Sequence, residues 1–277
     1  MKCKSLVLVL VVVFVWIWSL PLLILGAIFL SPVALMLLPV SFLISILVQR
    51  CPTVTKSPLR SFVNELRLFE WFPCDTVQVQ QQTVIAVHPH GLLCCGALAG
   101  IHFVPGSTTI MCVAPILFYI PILGWSLPLL GCIPADYSTM RKTLEMGHTI
   151  VVVPGGVPEI VLSEQGEDTA LYPRYGFLKL ATATGTSVMS VFVQGECSTF
   201  QLIPLPFRRL RAYLSWLTNI PLVLPLVRGH WGTWLPKQVT LRLKTRLMNT
   251  VPSRNAYQVR LTSMMNRTPL RPSKCTI

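Results

Sequence analysis

Charge is what this chain has least of. Asp, Glu, Lys and Arg together make up only 12% of its 277 residues, against 52% hydrophobic, a balance too apolar for a purely soluble protein. No charged side chain occurs between Ser5 and Gln49, and none between Phe103 and Ala135. Acids are absent from residue 201 onward, where thirteen of the 23 basic residues lie; the first 200 residues hold ten basic and ten acidic side chains. The formal net charge of +13 therefore belongs to the C-terminal third. Such an asymmetry fits nucleic acid, an anionic membrane surface or phosphate-bearing substrates, and the apolar composition favours the last two. The nine cysteines are odd in number and include no C-x-x-C pair. Neither a zinc site nor a disulfide framework is signalled, which places the bulk of the chain on a reducing face.

The uncharged run from Ser5 to Gln49 is about twice the ~20 residues that a helix needs to cross a bilayer. Two spans fit it better than one, with Ser31-Pro32 nearest the midpoint as the turn. Lys2 and Lys4 precede the run and Arg50, Lys56 and Arg60 follow it, so both ends are expected in the cytosol. A secretory signal would have a much shorter apolar region and a small-residue cleavage site. The expected organisation is a membrane-anchoring hairpin over 1–50, a globular domain over 51–250 and a loosely held basic tail over 251–277.

Within the globular part, Phe62, Leu66, Leu68, Phe69 and Phe72 recur at roughly helical intervals, which predicts an amphipathic helix over 61–72. Thr83 to Val87 reads as a short buried strand, and His88-Pro89-His90-Gly91 follows directly. Proline cannot donate to a ladder and glycine tolerates conformations closed to other residues, so strand pairing ends there and presents two histidines. An imidazole, with an ordinary pKa of about 6.5, can take a proton from a hydroxyl near neutral pH. A buried helix is expected to start near Gly91 and run to Ile101. The proline-interrupted stretch 103–135 reads as a strand near 109–113 and then a broken apolar segment that dips into lipid or lines an acyl-chain tunnel.

A helix over 136–148 leads into a second buried strand, Thr149 to Val153, which ends in Pro154-Gly155-Gly156 with Glu159 as the first carboxylate beyond. A glycine pair after a strand lets backbone N–H groups approach a ligand oxygen. Arg174 to Gly185 forms a helix with a basic start, in which Arg174 and Lys179 suit phosphate groups. A third strand follows over 187–193, with Gly195-Glu196 at its end. Strand, glycine turn and helix thus recur three times, which predicts an α/β domain whose mixed sheet is flanked by helices and whose strand ends gather the functional loops. Beyond Glu196 the chain is basic and aromatic, with Arg208, Arg209 and Arg211 near Tyr213 and Trp216, and later Trp231 and Trp234. That is a membrane-interface composition. No RNA- or DNA-binding signature accompanies it, so no nucleic-acid partner is expected.

Taken together, these residues resemble the type-2 diacylglycerol acyltransferase family, which includes monoacylglycerol and wax-alcohol acyltransferases. The resemblance covers about residues 60–237. It rests on His88-Pro89-His90-Gly91, Gly155-Gly156 with Glu159, Arg174-x-Gly176-Phe177-x-Lys179, Gly195-Glu196 after a strand, and Gly232-x-x-Leu235-Pro236. Where the family has Arg-Lys-Gly-Phe, this chain has Arg174-Tyr175-Gly176-Phe177.

The resemblance implies a glycerolipid-acyltransferase-like α/β domain behind a transmembrane hairpin, in a multi-pass endoplasmic-reticulum enzyme with its catalytic domain in the cytosol. The implied reaction moves a fatty acyl group from acyl-CoA, a co-substrate, to the hydroxyl of diacylglycerol, monoacylglycerol or a long-chain alcohol, without metal or bound cofactor. Both histidines of the motif would lie at the active site. His90 is the first choice as base, His88 orients it or bonds the acyl carbonyl, and Gly91, Gly155, Gly156, Arg174, Gly176, Phe177, Lys179 and Glu196 line the substrates. Related glycerolipid acyltransferases carry an acid five positions after the base histidine; here that position is Cys95, which makes Glu159 the candidate carboxylate partner. Two alternatives stay open: a lipid hydrolase or transacylase using Cys94 or Cys95 as nucleophile, and a non-catalytic lipid-binding membrane protein. A homo-oligomer is compatible with either.

Overall fold

The computed structural model describes residues 72–73, 82–92, 109–120, 123–163, 174–198, 201–203, 205–218, 221–223, 227–228, 242–248 and 251–266, with the single positions 40, 43, 94 and 97. The hairpin expected over 5–49 lies outside them apart from Val40 and Leu43, which are helical and exposed. So does the helix expected over 61–72, except for Phe72, which opens a strand.

Nine strands are assigned among the described residues: β1 Phe72–Pro73, β2 Thr83–His88, β3 Thr109–Val113, β4 Cys132–Pro134, β5 Thr149–Val152, β6 Ser187–Gln194, β7 Gln201–Leu202, β8 Val227–Arg228 and β9 Arg242–Met248. The helices are α1 Leu123–Leu129, α2 Tyr137–Glu145, α3 Gly156–Leu162, α4 Gly176–Thr184, α5 Arg208–Thr218 and α6 Arg254–Asn266. Strands β7 and β8 pair on their own, and the rest form one sheet in the order β1-β9-β6-β2-β5-β3-β4. From β6 through β4 the neighbours are parallel, whereas β9 runs antiparallel to β6.

Strands covered on both faces need apolar residues on both. Accordingly all six residues of β2 and all four of β5 are buried, as are the inner six of β6. One face of the sheet carries Val84, Ala86, Ile150, Val152 and Val188. These pack against Leu144 of α2, Phe177, Leu178, Leu180 and Ala181 of α4, and Tyr257 and Leu261 of α6.

One expectation needs correction, and two others take a more definite form. Residues 251–266 are not part of a loose tail, because Tyr257, Leu261 and Met264 follow one another at helical spacing and close the core from one side. The strand expected near 109–113 is β3, and the broken segment expected after it consists, among the described residues, of a 3₁₀ turn over Pro115–Tyr119, α1 and β4. Phe118, Leu127 and Cys132 form the buried part of a small cluster there, and among the described residues no helix is long and apolar enough to cross a membrane. Finally, the chain after His90 enters a turn at Gly91–Leu92 and is left-handed at Cys94 (φ 49°) before Ala97, which is helical; the rest of the helix expected from near Gly91 to Ile101 lies outside the described residues.

Candidate active site

Parallel strands end on one edge, and the sequence of strands around β2 decides what meets there. β2 lies between β6 and β5, so the turns after all three strands are brought side by side. They carry His88 to Gly91, Pro154 to Glu159, and Gly195-Glu196. The chain leaves β2 for β3 on the β5 side and crosses back from β5 to β6 on the other side of β2, the kind of strand-order reversal where open α/β sheets form crevices.

The two histidines occupy different environments. His88 is the last residue of β2 and is fully buried. Its Nε2 lies 3.0 Å from the hydroxyl of Tyr257 in α6, while Nδ1 is buried without a hydrogen-bond partner. Burial pushes its pKa down to about 3, so the ring is neutral at physiological pH. The Tyr257 phenol is pushed up by burial, with Ser190 as a hydrogen-bonding neighbour acting in the opposite direction.

His90, beyond the cis His88-Pro89 bond, keeps some exposed surface. Its backbone N–H donates to Glu159 Oε2 at 2.8 Å. Its Nδ1 lies 2.7 Å from the Gly91 carbonyl oxygen. A carbonyl can only accept, so Nδ1 carries the proton and Nε2 is left with its lone pair. Cys94 Sγ approaches the same ring, 3.0 Å from Nδ1 and 3.4 Å from Nε2. Burial lowers the His90 pKa, and hydrogen bonding to the Gly91 and His90 backbone opposes this in part.

Two fully buried carboxylates flank this turn, Glu159 from the β5 side and Glu196 from the β6 side. Each is seated on a glycine. A Cβ on Gly155 would stand 1.7 Å from Glu159 Cδ, and one on Gly91 would stand 2.7 Å from Glu196 Cγ and Oε1. Gly91 is also left-handed (φ 57°), which a side chain would strain. We expect Gly155→Ala to expel the Glu159 carboxylate from the His90 amide and to lower stability by about 1–3 kcal/mol. At Gly176 a Cβ would meet nothing within 4 Å, so Gly176→Ala should leave the melting temperature nearly unchanged. Thermal denaturation in detergent compares the two, and equal shifts would dismiss the Gly155 contact.

A family model, Diacylglycerol acyltransferase, matches residues 33–232, which is most of the chain. The chain belongs to the diacylglycerol acyltransferase family. Human 2-acylglycerol O-acyltransferase 3 is 28% identical over 160 residues, covering 52% of this chain and 46% of that protein. Mouse diacylglycerol O-acyltransferase 2-like protein 6 is 33% identical over 131 residues, covering 42% and 38%. The chain thus spans less than half the length of these curated relatives. Among solved structures, the 1-acyl-sn-glycerophosphate acyltransferase PlsC of Thermotoga maritima aligns over 95% of this chain and 94% of its own, at a TM-score of 0.47 and 14% identity.

In this diacylglycerol acyltransferase family member the motif residues separate into two groups. His88, His90, Gly91, Gly155, Gly156, Glu159 and Glu196 stand on the strand ends, and Arg174 joins them through its backbone N–H, which donates to Pro154 O at 2.8 Å. The Arg174 side chain turns away, donating to Trp216 O at 3.0 Å with its guanidinium over the Trp216 ring. Phe177 lies in the core against Tyr257, with ring centroids 5.3 Å apart, and Lys179 is exposed on α4. Glu159, expected to pair with an imidazole, bonds the His90 main chain instead, because the ring is turned onto the Gly91 carbonyl. Tyr257 was missed by sequence reasoning and lies beyond the family match; the 257, 261, 264 spacing was the available signal.

Proposed function

We propose that this protein is an acyl-CoA-dependent O-acyltransferase that esterifies a lipid hydroxyl, on diacylglycerol, monoacylglycerol or a long-chain alcohol, with His90 as general base. The observation that carries the choice of base is the contrast between the histidines. His90 is only partly buried, with Nε2 unprotonated, while His88 is sealed in the core against Tyr257.

In this reading Nε2 of His90 takes the hydroxyl proton as the acceptor oxygen attacks the thioester carbonyl. The C–S bond then breaks, CoA leaves as the thiolate, and the imidazolium returns the proton to sulfur. No covalent acyl-enzyme forms. Glu159 and Glu196 act by fixing the turn on which His90 is mounted. Backbone N–H groups near Gly91 or Gly155-Gly156 are the candidates to hold the oxyanion, an effect of roughly 3–4 kcal/mol per donor. The chemistry calls for no metal or cofactor. The protein would reside in the endoplasmic-reticulum membrane as a multi-pass enzyme, with the 1–50 hairpin as anchor and the domain facing cytosolic acyl-CoA.

Cys94 Sγ, 3.4 Å from the unprotonated Nε2 of His90, favours a second reading in which the thiolate is acylated first and the lipid is hydrolysed or transacylated. Purified full-length protein with labelled acyl-CoA and a panel of acceptors decides between them. Direct transfer predicts labelled ester, with Cys94→Ala retaining most of the rate. Free labelled acid, or a hydroxylamine-sensitive label on the protein that Cys94→Ala abolishes, would establish the thiol route. With no product from any acceptor, the enzymatic reading would fail.

A further inference from the structure

Helix α5 turns its apolar residues outward. It packs against α3, but its buried residues are only the small Ala212 and Ser215. Phe207 just before it, and Leu210, Tyr213, Leu214 and Leu217 along it, are exposed, Phe207 by 77% and Leu210 by 55%. Residues 207, 210, 214 and 217 follow the 3–4 spacing of a single stripe. Phe207 also holds a left-handed backbone (φ 57°), a costly conformation for a bulky residue, and one that leaves its ring in solvent. A monomeric soluble domain seldom leaves such a stripe uncovered.

The arginines of α5 have two separate tasks. Arg211 faces inward, where its guanidinium donates to the carbonyl oxygens of Leu205, Pro206 and Leu222 at 2.6–2.9 Å and clamps the segments on either side of the helix. Arg209 is exposed and Arg208 partly so, and no acid occurs anywhere from residue 201 onward. An apolar stripe beside exposed cations is the pattern of a helix lying in the headgroup layer of an anionic membrane. A second copy fits less well, since an isologous contact would set these arginines against each other. The 5–49 segment, which carries no charge, offers them no counterpart.

The stripe is coupled to the strand-end edge. Arg174 bonds Trp216 O of α5 with its side chain and Pro154 O with its backbone, and the next residue, Gly155, seats the carboxylate that holds His90. We propose that α5 is a second, interfacial membrane contact that lays the His90 edge of the sheet against an anionic leaflet. The placement of α5 is independent of the chemistry; only its use, delivery of lipid acceptors from the bilayer to His90, rests on the acyltransferase reading.

The test uses the full chain reconstituted into vesicles of phosphatidylcholine with or without phosphatidylserine. A photoreactive benzophenone amino acid replaces Leu210, Leu214 or Leu217, or Met146 as control, which is 71% exposed and lies three residues before the start of β5, on the opposite edge. Expected is a phospholipid adduct at all three α5 positions, at least about fivefold above Met146, and a drop of about threefold or more when Arg208→Gln and Arg209→Gln are introduced or phosphatidylserine is left out. Adducts between two chains, an adduct to residues 5–49, or lipid labelling no greater than at Met146 would each overturn the proposal. Activity measured on the same vesicles reports on the acyltransferase reading separately, so either can fail while the other stands.

Discussion

His90→Ala is expected to lower acyl transfer by at least about two orders of magnitude, the scale of losing a positioned general base, with abundance and melting temperature little changed. The side chain bonds the Gly91 carbonyl and approaches Cys94, and the bond to Glu159 is made by the His90 backbone, which alanine keeps. Loss of rate should therefore appear in kcat without loss of fold. The pH profile gives a second readout. Burial holds the His90 pKa below its ordinary value, so the neutral, proton-accepting form persists into mild acid. The acid limb of kcat/KM is expected below pH 6.5 rather than above it. A His90→Ala protein that turned over normally at equal abundance would remove His90 from the chemistry altogether.

The parts of this site that could be read from the sequence are those made by local grammar. Thr83 to Val87, Thr149 to Val153 and Ser187 to Val193 are β-branched, apolar runs, and each has a glycine turn within a few residues of its end; the observed strands differ by a residue or so. Which turns would meet was not legible, because the adjacency of β6, β2 and β5 is set by long-range parallel pairing through crossovers and leaves no mark on any one segment. The buried positions of Glu159 and Glu196 follow from that adjacency.

Two elements were hidden by composition. β9 carries Arg242, Lys244 and Arg246 in alternation with Leu243, Thr245 and Leu247, a period-2 pattern obscured by the basic character of the whole C-terminal third. α6 was hidden the same way. Its arginines invited the reading of a solvated tail, whereas Tyr257 and Leu261 insert into the core. The pairing of His88 with Tyr257 spans 169 positions, beyond any local pattern.

That pairing gives the second large effect, a marked loss of stability in acid. The folded pKa of His88 is lowered from 6.5 to about 3 by burial, so between those limits the unfolded chain takes up a proton that the folded chain refuses. The contribution is intact above about pH 6.5 and is lost as pH falls toward 3, at about 1.4 kcal/mol per pH unit. From pH 6.5 to 4.5 His88 alone should remove roughly 2–3 kcal/mol, a large part of the 5–15 kcal/mol typical of a domain. His88→Gln should start out less stable at pH 7.5, because it leaves the Tyr257 hydroxyl with a poorer partner, but its melting temperature should fall less on going to pH 5. Tyr257→Phe should act differently. It strips Nε2 of its partner and lowers stability by about 1–3 kcal/mol, yet leaves the buried ring and hence the acid slope in place. Melting curves in detergent across this range, with His90→Gln as a comparison that keeps His88, separate these cases. If wild type and His88→Gln lost stability in parallel between pH 7.5 and 5, His88 would not be the group that refuses the proton.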